Sequence, residues 1–249
     1  MRSRQTPLDL RQARPTDPFV RWRLDDDAVI DAVVDGDHVG WTRWSDSGDE
    51  RWATVLGDDA TRVVALAHVL DEVAPIDGLT VPDAAFSSLP KHLASPDPGH
   101  WSPWFIDPQD VPARHADAVE LTPDDPRIDQ VLVHSTSAEA FAGDPRVHRW
   151  TGVLDGQRLL AVAAERRRAN GAAHLLSVCT VPEARGRGLA RHACLLLMQR
   201  ARAEGVEMIF LEMYAANESG RRAYSALGFV EAGTYRSGLL ERGGRRVPA

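Results

Sequence analysis

The stretch with the clearest capacity for chemistry is Val178-Cys179-Thr180-Val181-Pro182-Glu183-Ala184-Arg185-Gly186-Arg187-Gly188-Leu189-Ala190. An apolar, strand-like run ends there, a proline stops its ladder, and a turn rich in Gly and Arg opens an amphipathic helix pattern. The first turn of a helix presents unpaired N–H groups and the positive end of its dipole, which suits a phosphate. Gly186 and Gly188 lack the Cβ atoms that would keep an anion away. Arg185 and Arg187 add formal charge and bidentate donors. These residue types in this order predict a pyrophosphate cradle. A P-loop would need Gly-Lys-Ser/Thr, which this segment lacks, and a dinucleotide fingerprint would need Gly where the chain has Arg191.

A second segment lies downstream, Asn217-Glu218-Ser219-Gly220-Arg221-Arg222-Ala223-Tyr224-Ser225-Ala226-Leu227-Gly228-Phe229. It reads as a helix over 217–227, with Asn217 as N-cap and Gly228 at C′. At about 100° per residue, Asn217 and Tyr224 fall on one face, two turns apart. A tyrosine with an ordinary pKa of ~10 stays protonated at neutral pH and can donate to a departing anion.

With Arg185, Gly188 and Ala190 matching R-x-x-G-x-A and the Asn217–Phe229 segment following it, the region 118–240 resembles the GCN5-related N-acetyltransferase (GNAT) superfamily. The resemblance implies acetyl-CoA as co-substrate, bound by Cys179, Thr180, Val181, Arg185, Gly186, Arg187, Gly188, Leu189, Ala190, Asn217 and Tyr224. It places Asn217 on the pantetheine arm or an ordered water, and Tyr224 beside the thioester sulfur. It implies direct acyl transfer to a primary amine of a small molecule or peptide, with the strands parted beside Thr180–Val181 and Met213 and the Val181 N–H polarising the carbonyl. His174 is the leading candidate for the base that deprotonates the acceptor, with Glu212 and then Glu165 as carboxylate alternatives. A binding or scaffold protein that takes up CoA without turnover is the competing reading. Retention of Tyr224 favours the enzyme.

These residues need a scaffold, and the hydrophobic pattern supplies two similar series of elements. The first has strands at Ala28–Val34, His38–Trp44 and Arg51–Leu56, a helix at Thr61–Val73 and a strand at Leu79–Val81. The second has a strand at Val119–Leu121, helices at Asp125–Ser135 and Ser137–Ala142, and strands at Trp150–Leu154, Leu159–Glu165 and Ala173–Val181. It continues with a helix at Leu189–Glu204 closed by Gly205, a strand at Met208–Met213 and a last strand at Phe229–Tyr235. Each series holds an Asp-Gly hairpin turn, at Asp35-Gly36 and Asp155-Gly156, then a third strand, a helix and a strand. The shared order predicts a duplicated mixed-sheet α/β (α+β) fold, which the resemblance implies is the GNAT fold in tandem. Residues 1–20 are expected as a flexible arm. Residues 21–116 are expected to form a degenerate GNAT-like half or another α+β domain, ending in a Pro-rich linker with the aromatic patch His100–Phe105, and 117–249 to form the acetyltransferase domain. Gly57-Asp58-Asp59 precedes the first-half helix, and its carboxylates would repel a pyrophosphate. The first half is therefore expected to bind no cofactor.

Composition bounds the rest. The 249 residues are long enough to bury a core without disulfides, and with only Cys179 and Cys194 there is no disulfide framework or cysteine-based zinc module. Cys179 itself reads as a buried small residue, not a nucleophile. The nine histidines show no metal-ligand spacing, so no metal is expected. A net charge of −7 argues against nucleic acid as partner. Residues 1–116 carry 11 basic and 20 acidic side chains, and 117–249 carry 18 and 16, a shift that also suggests two domains. No apolar run approaches the ~18 residues of a membrane span, and the N-terminal segment has no apolar signal core. The expectation is a cytoplasmic protein, monomer or homodimer, with a soluble amine partner.

Overall fold

The computed structural model describes residues 5–45 and 48–241. In chain order its first elements are α1 (Pro7–Ala13), β1 (Asp31–Asp35), β2 (His38–Trp44), β3 (Arg51–Leu56), α2 (Ala60–Val73), β4 (Gly78–Pro82), α3 (Asp83–Phe86) and β5 (Gly99–Ile106). There follow β6 (Val119–Leu121), α4 (Arg127–Leu132), β7 (Arg149–Asp155), β8 (Arg158–Arg167), β9 (Ala172–Thr180), α5 (Leu189–Ala203), β10 (Met208–Tyr214), α6 (Glu218–Ser225), β11 (Val230–Glu231) and β12 (Tyr235–Leu239). The class is mixed α/β, as expected.

The chain forms two compact units. One takes residues up to Ser102, Tyr214–Ala216 and the segment from Ala232 onward; the other takes Pro103–Met213 and Asn217–Glu231. The division therefore falls at Ser102/Pro103, not at 116/117, and the C-terminal strand belongs to the first unit. Within each unit the same order appears. In the first, β1, β2 and β3 are antiparallel neighbours, α2 crosses over, and β4 lies parallel to β3. In the second, β7, β8 and β9 are antiparallel neighbours, α5 crosses over, and β10 lies parallel to β9. Both hairpins turn on a glycine at positive φ, Gly36 (63°) and Gly156 (57°), which matches the twist of the flanking strands.

The strands of each unit are covered on both faces. In the first unit Ala53 and Val55 pack with α2 residues Val63, Ala67 and Leu70, while Val39, Trp41 and Leu56 pack with Leu10, Phe19 and Val20 on the other side. In the second, Ala161 and Ala163 face α5, whereas Leu160, Val162 and Ala164 face α4. Alternation with period two sends successive residues of β8 into different cores.

Five expectations are corrected. The described part of the arm is not flexible: Thr6 and Asp9 form a reciprocal capping box, Pro7 opens α1, and Leu10 is wholly buried. Residues 1–4 lie outside the described residues, as do Arg242, Arg245 and Arg246. The Pro-rich linker contains a strand. Gly99–Trp101 of β5 pair with β12 in the first unit, Trp104–Phe105 pair with β11 in the second, and Pro103, with no N–H to donate, falls between the two ladders. Ser137–Ala142 is irregular, because the Ser177 hydroxyl takes the N–H groups of Glu139 and Ala140 that a helix would use. The final strand is broken into β11 and β12 by Gly233, at φ 84°. Gly228 also sits one position beyond C′, since Ala226 is the C-cap of α6.

Replacing Leu10 by Ala tests the first correction. A flexible arm would tolerate the change. A core position loses about 2–5 kcal/mol, read as a lower midpoint in denaturant unfolding.

Candidate active site

The site is built where β9 leaves its neighbours. β9 and β10 pair in parallel from Ala172/Met208 to Leu175/Leu211 only, although both strands run on. On its other side β9 shifts register against β8 between Val162 and Ala164. Ser177, in this bulge, has φ 49°, and it is the one non-glycine residue with positive φ among the described residues. Beyond it, Val178, Cys179 and Thr180 line an open cavity of about 560 Å³.

Two helices direct their N-termini at the same cavity. Gly188 is the N-cap of α5, in the left-handed region at φ 80°, and no side chain caps it. The Arg191 N–H donates to the Gly188 carbonyl at 3.0 Å, and the Leu189 and Ala190 N–H groups precede it at the uncapped end, placed to meet a ligand. Gly186 is also left-handed, at φ 78°. A Cβ on Gly188 would lie 2.6 Å from Nη2 of Arg191, in the space between the loop and that guanidinium. Asn217 caps α6, its Oδ1 accepting from the Gly220 N–H and the Ser219 hydroxyl, both at 2.9 Å. Arg185, Arg191 and Arg222 stand in the lining, and no Asp or Glu does. Such a concave, cationic lining with uncapped amides suits a polyanion.

Tyr224 reaches the cavity from the second turn of α6 and packs edge-on against Phe229, ring centroids 6.0 Å apart. Burial pushes its phenol well above the ordinary tyrosine range, with Cys194 adding to the shift. The hydroxyl therefore keeps its proton at any physiological pH. Cys179 lies in the lining, but its Sγ donates to the Val131 carbonyl at 3.3 Å, and burial raises its pKa despite Arg185 nearby. That environment suppresses the thiolate.

The residues expected from sequence divide clearly. Cys179, Thr180, Arg185, Gly186, Gly188, Leu189, Ala190, Asn217 and Tyr224 meet in the lining, and Arg187 and Val181 do not. The role expected for the Val181 N–H is corrected: it donates to the Leu160 carbonyl at 2.9 Å and is already committed. His174 is buried and stacked on Phe210, centroids 4.5 Å apart and planes within 1°. Glu165 is wholly buried beside Arg167 and Arg149, and burial raises its pKa. Neither residue, nor Glu212, lines the cavity. His134, Ser135, Thr136, Ser137, Arg191 and Arg222 were not anticipated. The first four follow a helix end without any motif. Arg191 and Arg222 were visible only as cations on helices already assigned.

The chain's similarity to known proteins agrees with this geometry. The model of the Acetyltransferase (GNAT) family matches residues 97–229. The chain belongs to the GNAT family. Acyl transfer is the activity of that family, and this member is a transferase by kinship. No curated protein shows significant similarity to the chain. Among solved structures, a GNAT family protein from Novosphingobium aromaticivorans superposes with TM-score 0.55 at 24% identity, covering 96% of this chain and 100% of that one. A GCN5-related N-acetyltransferase from Sphaerobacter thermophilus gives 0.54 at 14%, with 96% and 95% covered. One from Kribbella flavida gives 0.51 at 18%, with 86% and 90% covered. These likenesses establish the fold. No group of three or more His, Cys, Asp or Glu side chains that could hold a metal occurs among the described residues, and no described helix is long and apolar enough to cross a membrane.

The segment after α4 is anchored by Asp144, whose carboxylate accepts from Arg146 at 2.8 Å and from Arg166 at 3.2 Å. The Arg146 hydrogen bonds, with help from Arg166, hold it far below the usual carboxylate range. A depressed folded-state pKa adds stability that is complete above the unfolded value of ~3.9 and fades as pH falls toward the folded one. Wild type should melt above Asp144→Asn at pH 7, and the gap should close progressively below about pH 4, measured by thermal unfolding across a pH series.

Proposed function

We propose that this GNAT protein transfers an acetyl group from acetyl-CoA to a primary amine of a small molecule or peptide, by direct attack without a covalent enzyme intermediate. One observation carries the reading: a single cavity holds an uncapped helix N-terminus with two left-handed glycines, three arginines, no carboxylate, and a half-buried tyrosine. The co-substrate supplies an activated thioester. The Leu189 and Ala190 amides at the start of α5, with the Arg191 side chain, would hold its diphosphate. Gly188 leaves the room that close approach of the backbone requires. Asn217 orders the start of α6, and Tyr224, two turns on, holds a proton on its hydroxyl for the thiolate that departs.

One observation favours the second reading, CoA binding without turnover. Neither His174 nor any carboxylate lines the cavity, and the acceptor ammonium must lose a proton before it attacks. His134, the one histidine in the lining, is a further candidate for that proton.

Calorimetry with acetyl-CoA tests the donor site. Wild type should bind, and Gly188→Trp should abolish binding while leaving the melting temperature within a few degrees. Failure of folded wild type to bind acetyl-CoA would sink the reading. Tyr224→Phe separates the two alternatives. For an enzyme, thiol release in an amine screen drops about 10²-fold or more with affinity for acetyl-CoA retained. For a binder, no amine releases thiol from wild type either.

A further inference from the structure

Ser177 is held in a conformation that a serine adopts rarely, and a glycine would adopt it without strain. What serine adds is its hydroxyl, which is buried and fully used. Its Oγ accepts from the N–H groups of Glu139 at 3.1 Å and Ala140 at 2.9 Å, and donates to the Ala140 carbonyl at 3.1 Å. The bulge in β9 is thereby tied to a segment some forty residues earlier in the chain.

A second tie joins the same partners. Nε of Arg185 donates to the Thr180 carbonyl at the end of β9 at 3.1 Å, and its Nη2 donates to the His134 carbonyl at 3.2 Å. The planar fork spans two backbone carbonyls on separate elements, a geometry to which a lysine ammonium is poorly suited. Both ties converge on the cavity, since His134–Ser137 and Val178–Thr180 both line it.

We propose that Ser177 and Arg185 are positioning residues that clasp the 134–140 segment to the end of β9, and that this clasp sets the shape of the donor cavity. Arg185, on this account, serves donor binding through the backbone it holds, and the charge that meets the donor comes from Arg191 and the α5 amides. The claim about the cavity rests on the donor reading above; the clasp itself does not.

Hydrogen exchange of the ligand-free protein tests the clasp alone. In Ser177→Gly, which relieves the backbone and removes only the hydroxyl, exchange at the Glu139 and Ala140 amides should accelerate at least tenfold. Amides of α5 and β10 should keep their wild-type rates. Unchanged exchange at 139 and 140 overturns the clasp. Ser177→Ala should melt below Ser177→Gly, because alanine keeps the left-handed strain without the hydroxyl. The reverse order also counts against it. Acetyl-CoA affinity then tests the consequence. Two residues holding one segment act as a unit, so Ser177→Gly with Arg185→Gln should bind no more than about threefold more weakly than the weaker single variant. The salt dependence of binding should match wild type in Arg185→Gln and flatten in Arg191→Gln. Multiplying losses would show that the two residues act independently, a flattened dependence in Arg185→Gln would show direct contact between Arg185 and the donor, and either result would overturn the assignment. If wild type binds no acetyl-CoA, the claim about the cavity falls with the donor reading, and exchange alone still decides the clasp.

Discussion

The arrangement depends on a pairing that stops early. β9 and β10 share a parallel ladder through Leu175 and Leu211 and then part, while α5 and α6 follow them directly. A ladder continued to the strand ends would close the gap beside Val178, Cys179 and Thr180, which instead line the cavity. The bulge at Ser177 bends β9 at the level where the pairing ends, and the three residues after the bulge become cavity wall. The left-handed backbone at Ser177 is sustained because its hydroxyl is satisfied three times by the 139–140 segment.

The two units use one order of elements for opposite electrostatic ends. α2 and α5 both follow the third strand of an antiparallel set and both lead to a parallel fourth strand. At α2 the N-cap is Asp59, whose carboxylate accepts from the N–H groups of Thr61 and Arg62, so the helix end is closed by its own negative charge. At α5 the N-cap is Gly188, which offers no side chain, and the same kind of helix end stays open. A single cap position therefore separates a helix that could receive an anion from one that repels it.

The buried ionisable groups of the second unit are sorted by neighbour rather than by type. Glu165 sits wholly buried on β8 among Arg149 and Arg167, where it ties strands together away from the cavity. His174 spends its ring on Phe210, which also stacks on Phe105 and carries Arg168 within 5.9 Å of its centroid. Half-buried Tyr224 faces ligand space with its proton secured, alongside a Cys179 thiol bonded to backbone.

Local pattern carried much of this in the sequence alone. The Asp-Gly hairpins, the amphipathic α2 and α5, and the limits of β2, β3 and β6 follow from periodicity and turn chemistry, which act between near neighbours. So does the Gly186–Gly188 turn into α5 and the Asn217 cap on α6, because a cap is a bond over two or three residues. What tertiary structure decided lies at longer range. Ser177–Ala140 and Arg185–His134 join residues 37 and 51 positions apart, and no window of sequence contains both partners. The failure of 137–142 to become a helix, the strand inside the Pro-rich stretch, and the removal of His174 from the site are of this kind. In each case the outcome was set by which distant group arrived to take a backbone donor or cover a ring, and a side chain can form that contact only after the chain has folded.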